Sequence, residues 1–178
     1  MLKKKSIFGF FIILMMFFSL ASCSARSMIT GRVIDAETGN PVANAVFYID
    51  WYKVTGPPGL TSAEEVETAE GYTDAEGYFK VPKYSTFINK FQMAVYKKGY
   101  VCWASDKIFP TWEDRNDFKL KNKMVIKLEK FKEEYSKERH AEFTTSADLG
   151  AGPSGVFNDA IRSERELLMK VYKRKREE

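Results

Sequence analysis

From Met28 onward, apolar and polar residues alternate with a period of two. Ile29 and Val33 stand in one phase against Thr30 and Arg32. Ala43, Ala45, Phe47, Ile49 and Trp51 make a second such phase, and Phe91, Met93 and Val95 a third. Met124, Ile126 and Leu128, set against Val125, Lys127 and Glu129, make a last one. Successive strand residues point to opposite faces, so each phase predicts a strand with one side in a core. Turn-forming clusters separate them: Glu37-Thr38-Gly39-Asn40-Pro41, Gly56-Pro57-Pro58-Gly59 and Lys97-Lys98-Gly99. Asp74-Ala75-Glu76-Gly77, between residues 67–73 and 78–81, predicts a hairpin: Asp74 can accept hydrogen bonds from the turn and Gly77 can take positive φ. Tyr100 to Ala104 starts a further strand. Strands do not alternate with helices, which disfavours a doubly wound sheet. The expected fold is an all-β antiparallel sandwich of about seven strands.

The period changes after Leu128. Leu128, Phe131 and Tyr135 are spaced as on a helix within the charged run 129–142, which predicts a short helix there. Residues 146–155 read as a Gly, Ser and Ala linker containing Pro153. Phe157, Ile161, Leu168, Val171 and Tyr172 then fall on one side of an amphipathic helix over 157–176. Lys173, Arg174, Lys175 and Arg176 sit at its end, where the helix dipole favours positive charge. The expected division is a sandwich at 28–132 and a charged linker with an amphipathic C-terminal helix at 133–178. So short a basic run is read as the solvated face of a helix packed on the sandwich or on a partner, not as a polyanion site.

The first residues follow another pattern. Lys3, Lys4 and Lys5 precede an almost unbroken apolar run of 14 residues, 7–20. A membrane-spanning helix needs about 20, so the run is short for a span and suited to a signal segment. Leu20-Ala21-Ser22-Cys23 follows, and it resembles the lipobox of bacterial lipoproteins. The resemblance implies that residues 1–22 are removed, that Cys23 is lipidated, and that residues 23–27 form a tether. Two or three acyl chains, at about 0.8 kcal/mol per buried methylene, make a stable anchor. Ser24 after the Cys points to the outer membrane, facing the periplasm or the cell surface. The expected location is therefore the cell envelope, with a membrane as partner through lipid on Cys23. Charge changes with this step. The chain has 28 basic and 24 acidic residues; without residues 1–22 it keeps 25 basic ones and all the acids, close to neutral. A nucleic-acid partner gains no support from that balance. With Cys23 lipidated, Cys102 has no intramolecular partner, and its apolar setting reads as a small buried hydrophobe.

The body of the chain carries a second resemblance. Ile29-Thr30-Gly31-Arg32-Val33-Ile34-Asp35, Thr38-Gly39-Asn40-Pro41-Val42 and Ala45-Val46-Phe47 look like the opening of carboxypeptidase regulatory-like domains. Thr73-Asp74-Ala75-Glu76-Gly77-Tyr78-Phe79 is similar to that family's hairpin, Ala94 to Tyr100 to its next strand and Gly-Tyr element, and Val125 to Glu129 to its closing strand. The resemblance covers roughly residues 28–132 and implies a transthyretin-like sandwich. Gly31 is expected to allow close approach of a neighbouring strand, and Phe79, Ala94 and Tyr100 to be core. Two long connections, 53–65 and 106–123, depart from the family pattern. They are the expected places for features particular to this protein.

Candidate chemistry is sparse. The single histidine, His140, lies in the charged run and is read as solvated. Nucleophilic catalysis needs a Ser or Cys with a base and an orienting acid, and zinc needs several ligands at spacing; neither pattern appears. Gly150-Ala151-Gly152 lacks the strand before and the Lys after that a phosphate loop requires. Glu64-Glu65 and Glu133-Glu134 are neighbours in sequence and read as solvated charges. Hydroxyisourate hydrolases share the transthyretin-like fold, but the C-terminal Lys175-Arg176-Glu177-Glu178 departs from their ending. No catalytic residue, cofactor or metal is expected. The expected function is a non-enzymatic binding or assembly module with an envelope protein or glycan as partner; the alternative is a glycan or small-ligand binding lipoprotein, and a hydrolase with an unrecognised site ranks last. Trp51 and Trp103 sit in strands and read as core. Trp112, in a loop after Phe109-Pro110-Thr111, is the candidate contact residue for a glycan or small ligand.

Overall fold

The computed structural model describes residues 27–57, 59–147 and 155–177. Cys23 and most of the 146–155 linker lie outside the described residues. Among the described residues, seven strands form two sheets. In the first, β1 (Met28–Asp35) lies between β4 (Tyr78–Pro82) and β9 (Met124–Leu128). In the second, β2 (Val46–Thr55) lies between β3 (Ser62–Tyr72) and β5 (Lys90–Tyr96), with the short β6 (Trp103–Ala104) outside β5. A separate ribbon, β7 (Lys107–Ile108) with β8 (Glu113–Asp114), sits in the connection that leads to β9.

The period-two phases build the interior. Met124, Ile126 and Leu128 are buried while Val125 and Lys127 are exposed. Val33, Phe47, Ile49, Trp51, Met93 and Val95 meet them between the two sheets. Gly31 pairs directly with Phe79 across β1 and β4. The Phe79 ring occupies the space a Cβ at position 31 would need, at 2.2 Å, so the close neighbour expected there is an aromatic ring. Gly77 has φ +78° and a Cβ on it would meet the Val33 carbonyl at 2.4 Å, so only glycine suits this turn. Asp74 Oδ1 accepts from the amides of Glu76 and Tyr78.

Three expectations change. Residues 74–77 form a tight turn but not a hairpin, because β3 and β4 belong to different sheets. The chain turns a corner there, since each strand finds its ladder elsewhere, β3 on β2 and β4 on β1. The 53–65 connection is mostly strand: β2 and β3 stay paired out to Thr55 and Ser62. Its polar sequence reflects exposure on both faces of a protruding ribbon. Finally, β9 runs parallel to β1, whereas the other pairings among the described residues are antiparallel. The long 105–123 connection makes this possible by returning the chain to the end where β1 starts.

The charged C-terminal third forms a third layer. It contains α1 (Lys137–Ser146), α2 (Val156–Ala160) and α3 (Arg162–Glu177). The expected single helix over 157–176 is broken at Ile161, and helix begins at Lys137, where the Ser136 side chain caps the Arg139 amide, not at Phe131. Phe143, Phe157 and Ile161 pack on Val46, Tyr48, Ala94 and Tyr96, the outer face of the second sheet. Each fully buried Phe contributes about 1.5–3 kcal/mol. β2 is therefore apolar on both faces over Val46 to Ile49. Tyr172 is exposed, leaving Val171 as the buried residue of α3.

Candidate functional site

A cavity of about 260 Å³ lies where α1 and α3 meet the turn between β5 and β6. Tyr100, Phe131, His140, Ser163, Glu164 and Leu167 line it. His140 reaches it because α1 turns His140, Ala141, Phe143, Thr144 and Ala147 inward. That spacing of three, four and seven residues is one helical face. The charged neighbours that suggest a solvated histidine occupy the other face. The reading of His140 as solvated is thus corrected: it is 3% exposed. Helical phasing of residues 137–147 is the signal that could have located it.

His140 Nε2 accepts the Cys102 backbone N–H at 3.0 Å. An accepting Nε2 places the ring proton on Nδ1, which lies 3.7 Å from Glu164 Oε2. The Tyr96 hydroxyl donates to Glu164 Oε1 at 3.0 Å. Burial opposes charge on Glu164, but the facing His140 ring and Tyr96 hydroxyl outweigh it and hold the carboxyl below its usual range. The Phe109 and Phe131 rings enclose the imidazole, with centroids 5.3 and 5.0 Å away. A base oriented by an acid is half of a catalytic relay. Here the other nitrogen is committed to a main-chain amide. The Cys102 thiol is fully buried and desolvation pushes it up to about 12, so it is protonated at neutral pH and a poor nucleophile. This arrangement joins α1, α3 and the β5–β6 turn through polar contacts.

A second lock holds α2. The residue at its N-cap, Gly155, has no side chain to cap the helix. Glu70 of β3 accepts instead from the Val156 and Phe157 amides, at 2.9 Å each. Neither Glu70 nor Glu164 is legible as a site from sequence, because their hydrogen-bond partners on the second sheet and on α2 lie 68 or more residues away.

Trp112 is half-buried, with φ +64°. Its ring packs edge-on against Phe143 at 5.1 Å. The exposure expected of it is corrected: the β7–β8 turn folds down onto α1 and most of the ring faces protein. Trp51 and Trp103 are core, as expected. The open concave surface lies elsewhere, on the uncovered outer face of β4-β1-β9. There a shallow groove is lined by Arg32, Asp74, Tyr78, Lys80, Lys123 and Val125, with the Arg32 guanidinium 5.2 Å above the Tyr78 ring. No group of His, Cys, Asp and Glu able to hold a metal occurs among the described residues. No helix among them is long and apolar enough to cross a membrane.

No family model matches the chain. No curated protein matches it. Among solved structures, a Streptococcal ancillary pilin is similar over 60% of this chain, with 16% identity and a TM-score of 0.30. The match covers 30% of the pilin chain. A likeness of that size carries no argument about function. The fold class, a β-sandwich with a helical C-terminal layer, stands on the strand pairing itself.

Proposed function

We propose that this protein is a lipid-anchored cell-envelope lipoprotein whose β-sandwich serves as a non-enzymatic binding or assembly module. The observation that carries the binding role is the contrast between the outer faces of the two sheets. One is sealed by the helical layer, through α1, α2 and Ile161. The other stays open, with Tyr78 and Val125 exposed among Arg32, Lys80 and Lys123. An exposed aromatic and aliphatic pair rimmed by charge suits protein contact. The commitment of both His140 nitrogens fits a structural use of the chain's one imidazole. The anchor rests on Leu20-Ala21-Ser22-Cys23, and Ser24 favours the outer membrane. The glycan-binding alternative is weakened, because Trp112 packs on Phe143.

A photo-crosslinking residue at Val125 or Tyr78 in the full chain, activated in living cells, tests the binding role. One envelope protein should be captured at these positions and not at Thr38. Equal, diffuse labelling at all three positions would remove the open face as a binding surface. The mass of the mature N-terminus tests the anchor: Cys23 should carry the added mass of a diacylglyceryl group.

A further inference from the structure

The three most exposed large hydrophobics of the sandwich gather at one end, with Val54 beside them. Phe87 is 95% exposed, Leu60 79%, Ile88 63% and Val54 51%. Sheet register places them together. Met28 pairs with Pro82 in the first sheet, and Tyr52 with Lys90 in the second. The loop 83–89 crosses between these two rims and carries Phe87 and Ile88. Beyond the Tyr52–Lys90 rim, β2 and β3 continue alone for three residue pairs, ending at Thr55 and Ser62. At about 3.4 Å per residue this ribbon projects roughly 10 Å before its turn, with Val54 and Leu60 near the tip. Tyr84 hydrogen-bonds Glu67, and its ring lies 5.4 Å from Trp51, which fixes the loop against the ribbon's base.

The chain enters the sandwich at this same end. Lys83 N–H donates to the Ser27 carbonyl at 3.0 Å, so the segment before β1 emerges beside the 83–89 loop. Residues 23–27, fully extended, reach roughly 17 Å. An anchor on Cys23 would hold this end within that distance of the bilayer. Lys53, Lys83 and Lys90 are exposed around the apolar tips, a combination that suits the headgroup boundary, where apolar groups enter and lysines stay at the anionic surface. Glu64 and Glu65, opposite Lys53 and Tyr52, limit insertion to the tip and the loop. The other end exposes the polar Thr38, Asn40, Asp74 and Glu76, and its exposed hydrophobics are the hydroxyl-bearing Tyr72 and Tyr78.

We infer that the β2–β3 tip and the 83–89 loop form a membrane-docking surface that dips into the bilayer the lipid anchors. Val54, Leu60, Phe87 and Ile88 supply the apolar contact. The inference rests on the lipoprotein reading for its geometry, and it fixes an orientation: the open β4-β1-β9 face stands roughly along the membrane normal, accessible from the side.

The full chain, reconstituted in phosphatidylethanolamine–phosphatidylglycerol vesicles whose acyl chains carry a quencher, tests this. A polarity-sensitive fluorophore is placed at Leu60→Cys, Phe87→Cys or Ile88→Cys, with Thr38→Cys and Glu76→Cys as the opposite end. The buried Cys102 does not compete for the label. Quenching should be several-fold stronger at positions 60, 87 and 88 than at 38 and 76. Equal quenching at the two ends of vesicle-bound protein would overturn the docking surface. The N-terminal mass of the same samples reports lipidation separately. If Cys23 proves unmodified, the lipoprotein reading fails, and the same probe comparison in a Cys23→Ser chain still decides whether this end enters the bilayer.

Discussion

The sheet formed by β3, β2, β5 and β6 is covered on both faces, by different means. Its inner face meets another sheet. Trp51, Ile49, Met93 and Val95 lie there with relative exposure near zero, among the aliphatic residues of β1 and β9. Its outer face meets helices. There Tyr48 and Tyr96 replace aliphatic residues, and His140, Glu164 and Glu70 bring polar bonds between distant segments. A sheet-on-sheet core is specified by alternation repeated along every strand, and the residues of its buried cluster are hydrophobic. The helical layer instead uses a few aromatic rings for area and a few hydrogen bonds for position. The difference teaches that the second layer should be the easier of the two to loosen, because fewer residues hold it.

Substitution in each layer separates them. Trp51→Ala removes a fully buried ring that touches Tyr84 and Phe91, and should cost about 4–5 kcal/mol in urea unfolding. Phe157→Ala empties a comparable site against Tyr48, but α2 is five residues long and can shift into the void. Its cost should be about 3 kcal/mol, near the low end for such truncations. Equal costs would mean that the helical layer is packed as tightly as the sandwich. A separate early transition in Phe157→Ala combined with Trp112→Phe, seen by helix signal before the fluorescence of Trp51 and Trp103, would show that the layers unfold independently.

The polar lock gives a smaller effect. His140→Ala leaves the buried Cys102 amide without its acceptor and Glu164 without its facing ring. The expected loss is roughly 1–3 kcal/mol. Thiol labelling reads the same event locally. Cys102 should resist a thiol reagent at neutral pH until the chain unfolds, since burial both blocks it and holds it protonated. In His140→Ala, labelling should precede global unfolding. Unchanged labelling would show that the helices stay closed without the histidine.

These two layers were not equally legible. Inner-face residues announce themselves by period two: Phe47, Ile49, Trp51, Met93, Val95, Ile126 and Leu128 all lie where alternation puts them. Val46 and Tyr48 occupy the phase that should face water, and nothing local says that helices from beyond residue 136 will cover them. The turn 74–77 is legible from Asp74 and Gly77, but which ladders its flanking strands join is decided by pairing at long range. His140 hides because charge density around it dominates composition, while helical phase decides burial. Glu70 and Glu164 look like ordinary surface acids until their partners arrive. Trp112 carries a loop's sequence, yet its placement depends on Phe143, 31 residues later.

The last effect concerns the polar end of the inner layer, where β1 finishes at Asp35. Its carboxylate is buried and accepts from the Thr38 and Glu37 amides and from the Tyr100 hydroxyl, with Lys130 Nζ 3.7 Å away. The amide bond from Thr38 is the strongest influence; burial works against it, and the further bonds from Glu37 and Tyr100 help hold the pKa at about 2, below the ordinary 3.8. On acidification the unfolded chain takes up this proton before the folded one does. The stabilisation is therefore complete above about pH 4 and lost progressively as pH falls toward 2. Asp35→Asn keeps an oxygen that can accept from the two amides but not the charge, so near pH 7 it should be less stable than the unaltered chain, and the gap should close as pH falls toward 2. Its unfolding midpoint should fall less steeply between pH 4 and pH 2 than that of the unaltered chain. Parallel acid profiles for the two proteins would mean that other carboxylates, not Asp35, set the acid limit of the sandwich.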